Sequence, residues 1–104
     1  MDIGIGATAD VSGARAVIYA GDYLNKLTGE KIEHECRRSI AVGCTEIIVN
    51  FSQTEIVNSI GISILLGLID TATKNGARVV FSDMNETTIE LFDMLGLTKH
   101  VTIA

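Results

Sequence analysis

Proline is absent from this sequence of 104 residues, and it has no stretch rich in glycine and serine and no run of like charges. Segments of those kinds are the usual linkers between domains. Apolar residues make up 47% of the chain and charged residues 20%. A chain of this length and composition can bury a core without the help of disulfides or a metal. We therefore predict a single globular domain over residues 1–104.

Basic residues are also few, since 8 lysines and arginines against 13 aspartates and glutamates give a formal net charge of −5. Nucleic acids need a basic face for their phosphates, and anionic membranes attract polybasic segments, so the sequence predicts neither kind of binding. The residues after Met1 lack the basic segment and apolar run of a signal peptide. The most apolar stretch, 60–69, is too short to span a membrane. We expect a cytoplasmic protein without direct membrane insertion.

Cysteine occurs only twice, as Cys36 and Cys44. The two residues have neither the C-x-x-C spacing of a redox motif nor the spacing of a zinc site. Reduced thiols in a cytosolic protein are the simplest interpretation. Nothing in the sequence predicts a metal or another cofactor.

Hydrophobic periodicity predicts strands and helices in alternation. The predicted strands lie near residues 3–8, 14–20, 47–51, 78–81 and 100–103, and turn residues at 10–13 make the first two a hairpin. The predicted helices begin at Asn25 or Thr28, at Asn58 or Ser59, and at Glu86, and they end near Gly43, Thr73 and Leu95. The first helix has an apolar stripe that consists of Leu27, Ile32, Cys36, Ile40 and, less regularly, Ala41. The continuous apolar run at 47–51 predicts a strand that is covered on both faces.

The resulting order is β-β-α-β-α-β-α-β, which predicts an α/β fold with a mixed sheet of about five strands. After the opening hairpin, alternating strands and helices require parallel strands joined by right-handed helical crossovers. In such sheets the loops at the carboxyl ends of the strands usually carry the site. Three loops meet this description: 21–24, 52–59 and 82–85.

One of these loops leads into an apolar helix through the segment Asn58-Ser59-Ile60-Gly61-Ile62. Asn58 or Ser59 can cap that helix by accepting hydrogen bonds from its free N–H groups. A phosphate on Ser59 would gain the same donors and would add about −1.5 to −2 charges to the surface. Gly61 would let a partner approach closely, and Ile60 and Ile62 would add apolar contact area. An ordinary N-cap without a regulatory role is the alternative.

Other candidate motifs have simpler interpretations. Residues 4–9 match a loose GxGxxA dinucleotide pattern, but the alternation of a strand explains them better. Asp83 follows a buried strand, as a phosphate-accepting aspartate would, but lacks the adjacent acidic pair that holds Mg²⁺, so we predict a turn residue that caps the third helix.

His34 and Cys36 face different sides of a helix, the first solvated and the second in the core, and His100 stands alone. No set of nucleophile, base and orienting group is recognisable, so we predict no enzyme activity.

The segment around Ser59 is one of a series of motifs: Ile47-Ile48-Val49-Asn50-Phe51, Asn58-Ser59-Ile60-Gly61-Ile62-Ser63, Asn75-Gly76-Ala77, Val79-Val80-Phe81 and Leu95-Gly96-Leu97. Their order and spacing resemble the STAS domain, the family of bacterial anti-sigma factor antagonists. That family has a buried strand, a short loop, Asp-Ser-Ser/Thr-Gly-Leu-Gly at the start of a helix, a Gly-containing turn, a strand and a helix that ends in Gly-Leu. Gly21-Asp22-Tyr23-Leu24 is similar to the family's loop before its first helix, so the resemblance covers nearly the whole chain and implies a STAS-like fold.

In that family the serine directly after the aspartate is phosphorylated, and this position corresponds to Ser59. The resemblance implies regulation of transcription by partner switching. The unmodified domain binds an anti-sigma factor, a serine kinase of the ATPase-kinase superfold, and so releases a sigma factor. That kinase phosphorylates the serine, the complex dissociates, and a phosphatase of the PP2C type restores the binding form. The predicted docking surface consists of Asp22, Asn58, Ser59, Ile60, Gly61, Ile62, Ser82, Asp83, Met84 and Asn85.

Two residues depart from the family's motif. Asn58 replaces the usual aspartate, which keeps the capping geometry but removes a charge that a kinase could recognise, and Ile60 replaces the second hydroxyl residue. The predicted elements also end on a strand, where the family commonly adds a helix. A second hypothesis is therefore a STAS adaptor that is not phosphorylated, within a transporter, lipid-transport or stress-signalling complex. A small enzyme is a third hypothesis, without a recognisable set of catalytic residues.

Overall fold

The computed structural model of the chain describes residues 8–12 and 14–104, with side chains from residue 14 onwards. Within these ranges the chain forms seven strands, three α-helices and one short 3₁₀-helix. In chain order the elements are β1 (Thr8–Ser12), β2 (Arg15–Tyr19), β3 (Tyr23–Leu24), α1 (Lys26–Ala41), β4 (Glu46–Asn50), β5 (Ile56–Val57), α2 (Ser59–Lys74), β6 (Arg78–Ser82), α3 (Glu86–Met94), the 3₁₀-helix (Leu97–Lys99) and β7 (Thr102–Ile103).

Five of these strands form one mixed sheet in the order β1-β2-β4-β6-β7. Strands β1 and β2 are antiparallel, and every other neighbouring pair is parallel. Because β2, β4, β6 and β7 follow one another across the sheet, each helix between them is a crossover to the next strand. The predicted α/β fold with a mixed five-stranded sheet is confirmed.

The opening hairpin is confirmed, but its turn lies later than predicted. Each residue from Thr8 to Ser12 pairs with a residue of β2, and the last of these pairs joins Ser12 to Arg15. Residues 10–12 therefore belong to the strand, because pairing along the ladder outweighs the turn preference of Asp10 and Ser12. The predicted strand pattern at residues 3–7 lies outside the described residues.

The core lies on one face of the sheet. Alternate residues of each strand point to the same side of the sheet and form a buried cluster there. All three helices add side chains to this cluster. This cluster includes Ala16, Ile18, Ile47, Val49, Val79 and Phe81 from the sheet, Ile32 and Cys36 from α1, Leu65, Leu68 and Ala72 from α2, and Phe92 from α3. The rings of Phe51, Phe81 and Phe92 meet edge to face, with centroids 5.2–5.7 Å apart. Since Ile48 is only partly buried, on the opposite face, the expected coverage of β4 on both faces is wrong.

Both residues that were candidates for the cap of α1 take part in its start. Asn25 is the N-cap, its side chain accepts from the N–H of Thr28 at 3.0 Å, and the Thr28 hydroxyl accepts from the N–H of Asn25 at 2.8 Å. After α1, Gly43 has φ +99°, a conformation that glycine adopts readily. Leu27 is 61% exposed, so its predicted place in the core is wrong. Ile32 comes five positions after Leu27, which turns the helix by about 140° beyond a full turn and puts the two side chains on different sides.

Candidate functional site

The loop before α2 contains a short strand that the sequence pattern did not reveal. Ile56–Val57 (β5) pairs in parallel with Tyr23–Leu24 (β3), in a two-stranded sheet separate from the main one. The carbonyl of Asp22 accepts from the N–H of Glu55 at 2.9 Å, and the N–H of Asn58 donates to the carbonyl of Leu24 at 2.7 Å. The predicted loops 21–24 and 52–59 are therefore one hydrogen-bonded unit. Strands of two residues are too short to show a period in the sequence.

Gly61 brings the first turn of α2 against the start of α1. A Cβ atom at this position would lie 2.9 Å from the carbonyl oxygen of Leu24 and 3.0 Å from that of Asn25. Gly61 is buried, so it serves packing inside the molecule. The prediction that it lets a partner approach closely is wrong. Ile62 is only 5% exposed and lies in the core, so the predicted contact area from its side chain is also wrong. Its spacing from Leu65 and Ala72 is that of the buried stripe of α2.

Ser59 is the first residue of α2, and its side chain is exposed. Of the two candidates for the cap, Asn58 is the one used: its Oδ1 accepts from the N–H of Ile60 at 2.7 Å. Within the described residues, the hydroxyl of Ser59 makes no hydrogen bond, while its backbone carbonyl accepts from the hydroxyl of Ser63 at 3.1 Å. The structure thus presents a free hydroxyl at the end of α2 where backbone N–H groups lack partners within the helix.

Four exposed apolar side chains lie on the segments that surround Ser59. Tyr23 is 38% exposed, Leu27 61%, Ile56 59% and Ile60 53%. Tyr23 and Ile56 are paired across the small sheet, while Leu27 and Ile60 lie in the first turns of α1 and α2. We call the residues Asp22, Tyr23, Leu27, Ile56, Asn58, Ser59 and Ile60 the Ser59 surface. Only Asp22, Asn58, Ser59 and Ile60 were predicted; the pairing that exposes Tyr23 and Ile56 has no signal in the sequence.

The loop 82–85 follows β6 and leaves the sheet at the same edge as the loop between β4 and α2. Asn50, the last residue of β4, donates from Nδ2 to Oδ2 of Asp83 at 3.0 Å and accepts at Oδ1 from the N–H of Ser52 at 2.8 Å. Asp83 has φ +57°, a conformation that is uncommon for residues other than glycine. The hydrogen bond between the side chains of Asn50 and Asp83 therefore joins the end of β4 to the loop after β6.

The remaining predicted residues of this loop have different environments. Asn85, not Asp83, caps α3, because its Oδ1 accepts from the N–H of Thr88 at 2.8 Å; the predicted cap is wrong. Met84 is partly buried and packs against the core, and Ser82 is partly buried at the end of β6. Asp83 and Asn85 are therefore the more exposed members of this loop.

Both cysteines are free and buried, at 1% exposure for Cys36 and 3% for Cys44. Burial, assisted by the nearby Glu33 and opposed by Arg37, raises the pKa of the Cys36 thiol to about 11. The predicted core position of Cys36 and solvated position of His34 are confirmed. A thiol in this environment stays protonated and inert at neutral pH.

The amino ends of the strands carry a small ionic cluster. Glu46 of β4 accepts hydrogen bonds from Arg78 of β6 and from Arg15 of β2, the latter at 2.7 Å. These two bonds, that from Arg78 first, hold the pKa of Glu46 below its ordinary value. The cluster lies at the edge of the sheet opposite Ser59 and joins three neighbouring strands.

None of the helices in the described part of the chain has both the length and the apolar character needed to cross a membrane.

Comparisons with known proteins give one family and one fold. The model of the STAS domain family matches residues 8–104. Among solved structures, the chain is similar to the anti-sigma factor antagonist SpoIIAA in its unphosphorylated form, with a TM-score of 0.75, 19% identity and coverage of 95% of this chain and 87% of that chain. It is also similar to the Bacillus cell fate determinant SpoIIAA in its phosphorylated form (TM-score 0.73, 22% identity, 95% and 91% coverage). The likeness to SLC26A9 has a TM-score of 0.66 and 15% identity, over 88% of this chain and 18% of that one. A search of curated proteins gave no match.

Proposed function

The chain belongs to the STAS domain family, and from this premise we propose that it is an anti-sigma factor antagonist controlled by phosphorylation of Ser59. In its unmodified form it binds an anti-sigma factor serine kinase of the ATPase-kinase superfold in the cytoplasm and so releases a sigma factor. Phosphorylation by that kinase ends the interaction, and a phosphatase of the PP2C type restores it. The solved forms of SpoIIAA, one phosphorylated and one not, support this proposal by similarity of fold.

The observation that carries the proposal is the free hydroxyl of Ser59. A serine that capped α2 would have its oxygen committed to a backbone N–H group. Here Asn58 provides the cap, and Ser59 is exposed without a hydrogen bond of its side chain among the described residues. A kinase can therefore reach the oxygen without first breaking a contact that the fold needs.

The surroundings of Ser59 explain how a phosphate would end binding. Tyr23, Leu27, Ile56 and Ile60 offer exposed apolar area that a partner would cover. A phosphate adds about −1.5 to −2 charges, and its removal from water beneath a partner would be costly. In the free protein the same phosphate can accept from N–H groups at the start of α2. The modification thus favours the free protein over the complex without a change of fold.

Intact mass measurement after incubation with a purified anti-sigma factor serine kinase and ATP tests the proposal. We expect one added phosphate on the wild type and on Ser63→Ala, and none on Ser59→Ala. Ser63 is the matched control because it is exposed one turn further along the same helix. An unmodified wild type beside a control substrate that is phosphorylated, or a phosphate that maps to Ser63, would refute control at Ser59.

A second candidate is an adaptor domain in a larger assembly, which binds its partner through the same surface without phosphorylation. The neutral Asn58 favours it, because a kinase that reads the family's aspartate would find no charge here. The likeness to SLC26A9 over 18% of that chain shows that this fold also occurs as a small part of a larger protein. Purification from the native cell separates the two candidates, since a stable transporter or multi-subunit complex would support the adaptor.

A further inference from the structure

We propose that Asn58 is a specificity-determining residue, whose side-chain amide donates a hydrogen bond to an acceptor oxygen of the partner. The inference rests on the proposed function, in which the Ser59 surface binds a partner protein. It goes further by stating which chemistry that partner presents opposite Asn58: a carboxylate or carbonyl oxygen, and not a lysine or arginine.

The cap fixes the orientation of the Asn58 amide. Only its oxygen can accept, and Oδ1 accepts from the N–H of Ile60 at 2.7 Å. The nitrogen Nδ2 therefore points away from the helix end, and it donates to no group among the described residues. Asn58 is partly exposed, between the apolar Ile56 of β5 and the exposed Ser59. Two N–H donors are thus available on the surface that a partner would cover.

An aspartate would cap α2 equally well, since the N-cap preference for Asn and Asp is nearly the same. The two residues differ in what the second atom of the side chain offers. Asparagine presents a donor without charge, whereas aspartate presents an acceptor with a negative charge. The choice at this position therefore has little effect on folding and a large effect on which partner group fits opposite it.

Asn58 offers a donor, whereas two charged residues near it offer only acceptors. Asp22 and Glu55 are exposed and come from the two segments whose backbones are hydrogen-bonded at this point. These carboxylates offer acceptors to any basic group of a partner. Asn58 is the member of the Ser59 surface that combines an amide donor with direct contact to the start of α2, so an acceptor on the partner would find its donor here.

Binding of an anti-sigma factor serine kinase, measured by calorimetry with the full chain, tests this inference. Asn58→Asp keeps the cap but replaces the donor with an acceptor, and we expect binding weakened by at least about tenfold, because an acceptor oxygen would then face another. Asn58→Ser keeps a cap and a hydroxyl donor, so its loss of affinity should be smaller than that of Asn58→Asp. Asn75→Asp adds the same charge at the other end of α2 and should bind like the wild type.

Thermal unfolding of Asn58→Asp should match the wild type, which shows that a change in affinity does not come from a loss of fold. Equal or tighter binding by Asn58→Asp would overturn this inference while leaving the proposed function in place. Absence of binding by the wild type would remove both. Recovery of Asn58→Asp binding at high salt would identify the partner's acceptor as a carboxylate, and a loss unaffected by salt would identify a carbonyl; either result supports the inference.

Discussion

Replacement of Gly61 by alanine tests the contact that joins the starts of α1 and α2. The new Cβ would lie 2.9 Å from the carbonyl oxygen of Leu24 and 3.0 Å from that of Asn25. Neither oxygen can move freely, because each already accepts a backbone hydrogen bond, from Asn58 at 2.7 Å and from Gly29 at 2.8 Å. The two segments must therefore separate, and the small sheet of β3 and β5 must deform with them.

The expected cost follows from two opposing effects. Insertion of one methyl group into a packed contact costs about 1–3 kcal/mol, and contact with held backbone atoms places this case near 3 kcal/mol. Alanine in a helix is favoured over glycine by about 1 kcal/mol. The net loss in free energy of unfolding is about 2 kcal/mol, which lowers the Tm of a domain of this size by roughly 10 °C.

Gly67 provides the matched control, because it lies in the same helix and a Cβ there would meet nothing within 4 Å. Gly67→Ala should therefore gain about 0.5–1 kcal/mol from helix propensity alone. Urea unfolding followed by circular dichroism measures both variants, and the two changes should have opposite signs. A Gly61→Ala protein as stable as the wild type would show that the close approach is not tight in solution, and a Gly67→Ala protein that loses stability would contradict the open space at that position.

Further predictions concern three other groups in the fold. Thr28→Val removes a hydroxyl that donates to the carbonyl of Tyr23 at 2.7 Å, so the free energy of unfolding should fall by about 1–3 kcal/mol; an unchanged urea midpoint would contradict the bond. The raised pKa of Cys36, about 11, should slow alkylation at pH 8 by about a hundredfold relative to the unfolded chain. Because the folded thiol also holds its proton to higher pH than the unfolded one, stability should fall between about pH 9 and pH 11, and less so in Cys36→Ala. Because the pKa of Glu46 is lowered in the folded protein, its charged form stabilises the fold above the ordinary pKa, and this stabilisation is lost as the pH falls through the lowered pKa. Glu46→Gln should therefore reduce stability at pH 7 more than at pH 3 in urea titrations.

The sequence was sufficient for the order of the main elements, because the three α-helices and every strand of the main sheet except β7 have at least five residues, enough to show a period. The run at 47–51 and the segment after Ser59 are examples, and both lie where the pattern placed them. The pairing of β3 with β5 could not be predicted, since two-residue strands depend on backbone partners more than 30 residues apart. The burial of Ile62, in contrast, follows from its spacing to Leu65, which places both side chains on the buried stripe of α2.

The candidate site was predicted in part for the same reason. Asn58 and Ser59 lie together in the sequence, and their roles at a helix start follow from local chemistry. Which of them provides the cap depends on the path of the chain into α2, and there the N–H of Asn58 donates to the carbonyl of Leu24, next to the pairing of β5 with β3. Leu27 was included in the predicted apolar stripe of the first helix, but its position around the helix, away from Ile32, leaves it exposed.

The pairing of β3 with β5 means that the neighbourhood of Ser59 exists only in the folded chain. A peptide that spans residues 52–66 would contain the serine and Ile56, but not Tyr23 or Leu27, which come from a distant part of the sequence. An enzyme or partner that contacts both segments therefore recognises a conformation and not a linear motif. Under the proposed function, unfolded or newly synthesised copies would go unrecognised, and only molecules that have completed folding would be bound or phosphorylated.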